Sequence, residues 1–230
     1  MNPRLIARKL RVLYDALDPA AEKAAREHPE KVSCHDGCHG CCFQMVGITI
    51  PEGLLLAKAM LERDDWEARA LRMREACEPL LGTITRKAYF RRRIPCAFLD
   101  DGRCSVYAER PAACRFHYIV SPAADCYPES GEKGTRALNM IRFEKHVWDL
   151  NAETMGRAAA AGAPIQLTVL WCMWLLAQGT EREKRLEEIK AGVPDPNAWT
   201  LRALEGGVPD LAENRTREEV AAVRALLRER

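Results

Sequence analysis

Leu5, Ile6, Leu10, Leu13, Tyr14 and Leu17 recur at helical spacing between basic residues, a pattern that predicts an amphipathic helix over residues 3–27. Pro51 sits at a favoured first-turn position and opens a second helix running to about Arg63. A third helix, rich in Ala, Leu, Arg and Glu, is expected from Asp65 to Leu81. Helical patterns return over 135–161, 164–178 and 181–191. The longest apolar run, Pro164 to Ala177, contains Trp171, Cys172, Met173 and Trp174. A membrane span needs about 20 apolar residues. This run falls short of that and reads as a buried central helix, so no membrane is implied.

Between these helices the periodicity changes. Asp100-Asp101-Gly102 is a turn signal between two short apolar stretches, 97–99 and 104–107, which predicts a small hairpin presenting Cys96 and Cys104 to one site. Arg110-Pro111 begins a short helical turn carrying Cys114, and residues 121–134 have loop composition. The expected fold is mainly α: one helical domain over 1–191, with a small β-hairpin and irregular cysteine-rich loops gathered on a metal centre. Residues 192–230, punctuated by Pro194, Pro196, Gly206, Gly207 and Pro209 and ending in a charged helix from Thr216, form a C-terminal arm or lid.

Four thiols then fall within nine residues, at Cys34, Cys38, Cys41 and Cys42, interleaved with His35, Asp36, Gly37, His39 and Gly40. No core periodicity accounts for them, and the glycines let the backbone fold around one point. Cys96, Cys104, Cys114 and Cys126 make a second group of four. Eight thiols suit two four-coordinate sites, or one cluster beside a zinc or a disulfide. Cys77, inside a predicted helix, and Cys172, in the apolar run, read as core residues.

The spacing Cys34-x3-Cys38-x2-Cys41-Cys42, the stretch Cys96-x-Phe98-Leu99, Gly102-x-Cys104-x-Val106-Tyr107, and Arg110-Pro111-x-x-Cys114-Arg115-Phe116 together resemble the YkgJ-like CxxCxxCC cysteine-cluster family. The resemblance covers about residues 34 to 126. It implies a zinc- or iron-chelating centre held by cysteines, and it implies no particular reaction.

Iron–sulfur clusters take four thiolates, often three from one short loop and the fourth from elsewhere. Zinc ribbons pair one Cys-x2-Cys with another, and no matching pair stands downstream. An iron–sulfur cluster with a structural or redox role is therefore the expected cofactor, with zinc in a structural interaction module as the alternative. A group-transfer enzyme organised around the metal is a third reading. The first three cysteines also have the spacing of radical S-adenosylmethionine enzymes. Gly40 in place of an aromatic, the extra Cys42 and the lack of an alternating strand–helix pattern argue against that chemistry.

Arg110 and Arg115 flank cluster cysteines, where guanidinium groups would offset the negative charge of a thiolate-bound cluster. His117 is a candidate for a supporting or catalytic role beside it. His35 and His39 could replace a thiolate as nitrogen ligands. The basic stretch Arg86 to Arg93, with Tyr89 and Phe90 inside it, reads as a solvated face.

A net charge of +2 argues against a dedicated nucleic-acid surface. The partner is expected to be a protein or a small molecule. Charges break every apolar stretch near Met1, leaving no signal-peptide core, and clustered thiols persist in the reducing cytoplasm. Cytoplasmic residence is expected.

Overall fold

A computed structural model describes residues 2–35, 37–82, 84–127, 135–155 and 162–205. In chain order its elements are α1 (Pro3–Arg26), β1 (Gly47–Ile48), α2 (Ile50–Leu61), α3 (Trp66–Cys77), α4 (Arg86–Arg91), β2 (Leu99–Asp100), β3 (Arg103–Cys104), α5 (Ala112–Arg115), α6 (Ile141–Met155), β4 (Ala163–Pro164), α7 (Ile165–Ala177), α8 (Glu183–Lys190) and α9 (Pro196–Glu205). The fold is mainly α, and its two small sheets are two-residue antiparallel pairs.

Each helix follows from local chemistry. Asn2 caps α1 by accepting the Arg4 N–H at 2.9 Å, with Pro3 in the first turn. Ile6, Leu10, Tyr14, Ala21 and Ala25 then form its buried stripe. Thr49 and Glu52 close a reciprocal capping box at the start of α2. Helices α2 and α7 are the most buried, each apolar over most of its surface. They approach closely at Gly53, where a Cβ would stand 2.7 Å from Thr168 Cγ2 and 2.9 Å from Cys172 Sγ. A side chain at Gly53 would push the central pair apart.

Around this pair pack α1, α3, α6 and α8. Beneath α5, Phe116 lies between Tyr14 and Phe143, with ring centroids 6.3 and 5.5 Å away. A satellite core of Met45, Leu80, Ile84 and Tyr89 holds the basic stretch. That stretch forms α4 with Tyr89 turned inward, its hydroxyl accepting from Gln166 Nε2 at 3.2 Å. From Gly192 onward the described residues include α9, which buries Trp199 and Ala203 and bonds Trp199 Nε1 to the Leu80 carbonyl at 3.0 Å. The helix expected from Thr216, and the 156–161 end of the helix expected over 135–161, lie outside the described residues.

The pairing of β1 with β4, Gly47 opposite Pro164 and Ile48 opposite Ala163, has no turn or alternation signal in the sequence. Among the described residues no helix is long and apolar enough to cross a membrane.

Candidate metal centre

The first cysteine segment is folded over the second by backbone contacts. Its 3₁₀ turn, Gly40–Phe43, carries Cys41 and Cys42. The Cys96 N–H donates to the Cys42 carbonyl at 2.7 Å. Gly40 is pressed against Cys126: a Cβ there would stand 2.6 Å from the Cys126 Cβ and 2.9 Å from its carbonyl carbon. Only glycine permits that approach.

The hairpin turns through Asp101 and Gly102, with φ of 47° and 75°, the pair of positive values that a tight two-residue hairpin turn requires. Its strands are shorter than the sequence implies, with Leu99 opposite Cys104 and Cys96 in the turn ahead of them. Arg69 and Arg72 of α3 hold it from outside. Arg69 Nη1 reaches Asp100 at 3.0 Å, and Arg72 binds both Asp100 and the Leu99 carbonyl. Helix α5 is fixed by Glu52, whose carboxylate accepts the Ala112 N–H at 2.6 Å.

These supports bring Cys38, Cys41, Cys42, Cys96, Cys104 and Cys114 to one cavity of about 290 Å³. Val46, Phe98 and Ile165 supply apolar wall, while His35, Arg103 and Arg110 supply polar lining. Cys34 and Cys126 are not part of that lining. Cys34 Sγ accepts the Ile119 N–H at 3.5 Å and faces the His117 carbonyl at 3.8 Å; Cys126 is buried. All ten cysteines are free thiols. A larger groove of about 390 Å³ between the ends of α1, α2 and α7 contains neither cysteine nor histidine.

Burial pushes most of these thiols upward, Cys96 and Cys126 to about 12 and Cys114 well above the ordinary value. Cys41 moves the other way. The hydrogen bond from Cys42, and more weakly Arg110, draw it down, while the same bond and burial push Cys42 up. Burial is the largest influence on Cys34, Cys126 and Cys114; the neighbouring thiols push in the same direction, with Asp125 adding to them at Cys126, and Arg110 opposes them at Cys34 and Cys114.

Among the described residues no three His, Cys, Asp or Glu side chains converge on one point at ligating distance. The thiols stand around a space. Their chemistry nevertheless fits a soft cation: six thiol donors line one cavity, and a cation that binds them displaces their protons.

The flanking candidates separate. Arg110 lines the cavity, with its guanidinium stacked 3.6 Å from the Tyr107 ring centroid and Nε donating to the Tyr107 carbonyl at 3.1 Å. Arg115 is buried and engaged elsewhere. It donates to Asp18 at 2.5 Å, to the Arg110 carbonyl at 3.0 Å and to the Ala108 carbonyl, and stacks on Tyr14. Those contacts tie the 108–115 segment to α1. His117 also lies off the cavity lining; its Nε2 is buried with no hydrogen-bond partner among the described residues, and burial lowers its pKa. His39 Nδ1 bonds the Gly37 carbonyl at 3.0 Å, and its ring packs edge-on to Tyr127.

Residues 33–137 match the model of a family, CxxCxxCC, whose description is "Putative zinc- or iron-chelating domain". This segment is similar to the CxxCxxCC domain. No curated protein and no solved structure matches the chain. The matched segment ends at Ala137, which bridges to Ile119 beside Cys34. Helices α1, α6 and α7, which complete its core, lie outside it.

Sequence reasoning did not single out Glu52 or Arg103. Glu52 had a readable signal, the Thr-x-x-Glu spacing of a capping box at Thr49–Glu52. Arg103 had only its place between the hairpin turn and Cys104.

Proposed function

We propose that the matched segment holds an iron–sulfur cluster in its six-thiol cavity, where the cluster has a structural or redox role. The observation that carries this reading is the size of the space between the sulfurs. A lone zinc with Zn–S bonds of about 2.3 Å fills the gap between its four ligands. A cavity of about 290 Å³ is several times the roughly 30 Å³ share of one water molecule, and suits a multinuclear centre. When bound, such a cluster supplies a one-electron carrier or a rigid cross-link between loops.

The chain's own residues define its surroundings. Phe98, Val46 and Ile165 keep that side of the space apolar. Arg110, fixed by Tyr107, places positive charge against the thiolates, which favours their ionised form and raises the potential of a bound cluster. Arg115 holds the segment that carries Cys114, and His117 supports the loop beside Cys34 through its backbone carbonyl. Ten free thiols suit a reducing compartment, the cytoplasm, and a protein or small molecule as redox partner.

The test is anaerobic purification followed by analysis for iron, zinc and acid-labile sulfide, with a visible absorption spectrum. Iron and sulfide in similar amounts, with absorption that bleaches on reduction, are the expected result. Zinc without sulfide would overturn the reading in favour of a structural zinc module.

A further inference from the structure

We propose that the mouth of the cysteine cavity binds a small oxyanion, the carboxylate or phosphate group of a small molecule, through the guanidinium of Arg110. This rests on the reading of the cavity as a metal site and deepens it by naming what that site admits from solvent.

The cavity opens where its lining meets solvent. Its six cysteines are all partly covered, whereas His35, Gly37, Arg103 and Tyr107 on the same lining are exposed. Tyr107 is the most open of the large side chains there, at 63%. The described lining contains Arg103 and Arg110 and no Asp or Glu. An anion entering the mouth therefore meets positive charge beside an apolar wall, where that charge is focused.

Arg110 differs from the arginines around it. Arg11 engages Glu109, Arg69 and Arg72 engage Asp100, and Arg115 engages Asp18. Arg110 has no carboxylate partner among the described residues. Its Nε donates to the Tyr107 carbonyl at 3.1 Å and its Cζ stands 3.6 Å from the Tyr107 ring centroid. Those two contacts hold the guanidinium in place and leave both Nη groups without an acceptor among the described residues. A planar fork of this kind matches a carboxylate or phosphate through two parallel N–H···O bonds. Offsetting the charge of nearby thiolates needs only a cation, which a lysine would supply equally well. A guanidinium braced from behind, with its outer edge unused, is suited to recognition.

Benzoate and phenyl phosphate are the probes, with benzamide as the neutral control. The full chain, purified anaerobically with its metal, is titrated with each by calorimetry. Both oxyanions should bind at one site per chain and benzamide should not; binding of one oxyanion alone would support the site and identify the group it takes. Arg110→Lys keeps the charge and should keep the metal. It should weaken the oxyanions about tenfold or more, the order expected for a lost charge-assisted hydrogen bond. No saturable binding of either oxyanion with metal in place, equal binding of benzamide, or an affinity unchanged in Arg110→Lys would each overturn the proposal. Loss of metal from Arg110→Lys would also overturn it, by making Arg110 a support of the centre. Iron, zinc and sulfide are measured on the same preparations: a chain without metal defeats the metal reading, while oxyanion binding that still depends on Arg110 leaves the anion site standing.

Discussion

Ala112 donates its backbone N–H to the buried carboxylate of Glu52 at 2.6 Å, two residues before Cys114. The same oxygen accepts the Tyr14 hydroxyl at 2.9 Å, and the other accepts the N–H and hydroxyl of Thr49 at 2.7 and 2.8 Å. One side chain therefore starts α2, binds α1 and anchors the helix bearing a candidate ligand. Four donors converge on it, and a carboxylate is the side chain that offers acceptors alone.

Glu52→Gln keeps the shape and replaces one acceptor oxygen with an NH2 group aimed at donors. A buried group left unsatisfied costs about 1–3 kcal/mol, and here a pair of donors loses its acceptor. Urea unfolding of the metal-free variant should show a loss of about 3 kcal/mol, with metal bound less tightly because Cys114 loses its anchor. An unchanged urea midpoint would remove Glu52 from this role.

Gly40→Ala tests the contact between the first cysteine loop and Cys126. The added methyl would stand 2.6 Å from the Cys126 Cβ, so loop and cysteine must separate. Metal per chain should fall while far-UV circular dichroism keeps its helical signal, since the atoms nearest the added methyl all belong to Cys126. Gly82→Ala, where a Cβ meets nothing within 4 Å, is the control and should bind metal normally. Equal metal content in the two variants would count against the packing argument.

What could be read from the sequence divides along physical lines. The amphipathic stripe of α1, the apolar run of α7 and the turn at Asp101-Gly102 are local signals, and the structure places helices and a hairpin where they predict. The cysteine segments were legible by composition and spacing. The separation of Cys34 and Cys126 from the cavity was not, because it depends on backbone partners at Ile119 and Gly40 that are distant in sequence from the thiols they position. Arg110 and Arg115 look equivalent as neighbours of cysteines. Only the fold turns one towards the cavity and the other onto Asp18 and Tyr14. The β1–β4 pair is a further case, joining residues more than a hundred positions apart.

Arg115 is expected to matter for stability. Its side chain is 6% exposed and bridges α1 to the 108–110 turn. Removing one member of a buried pair leaves the other uncompensated, at about 3–5 kcal/mol; Asp18 is partly solvated, which places Arg115→Met near the lower end. Arg115→Lys should recover only part of the loss, because an ammonium cannot reproduce the guanidinium fork across three acceptors. Full recovery by lysine, read by thermal or urea unfolding, would show that charge alone is needed.

Glu144 gives a pH dependence away from the cysteines. Burial, reinforced by the Glu52 charge, holds its carboxyl above the ordinary value of 4.5. The folded state thus favours the proton, so the penalty is absent below the unfolded pKa and grows as pH rises through the folded one. Glu144→Gln should raise the melting temperature of metal-free protein at pH 7 and change it little near pH 4. An equal gain at both pH values would assign the effect to packing.

Cys77 separates core thiols from ligands. It is 0% exposed within α3, and burial pushes its thiol up to about 12, with no other cysteine among the groups acting on it. Cys77→Ser places a hydroxyl in an apolar site and should lower stability by about 1–3 kcal/mol, while metal per chain stays at the level of the unaltered protein. Cys38→Ser and Cys104→Ser should reverse the pattern, reducing bound metal, with stability falling only to the extent that metal binding contributes to folding. Elemental analysis and unfolding measured on the same three preparations distinguish the classes. Full metal retention by Cys38→Ser would remove that residue from the ligand set.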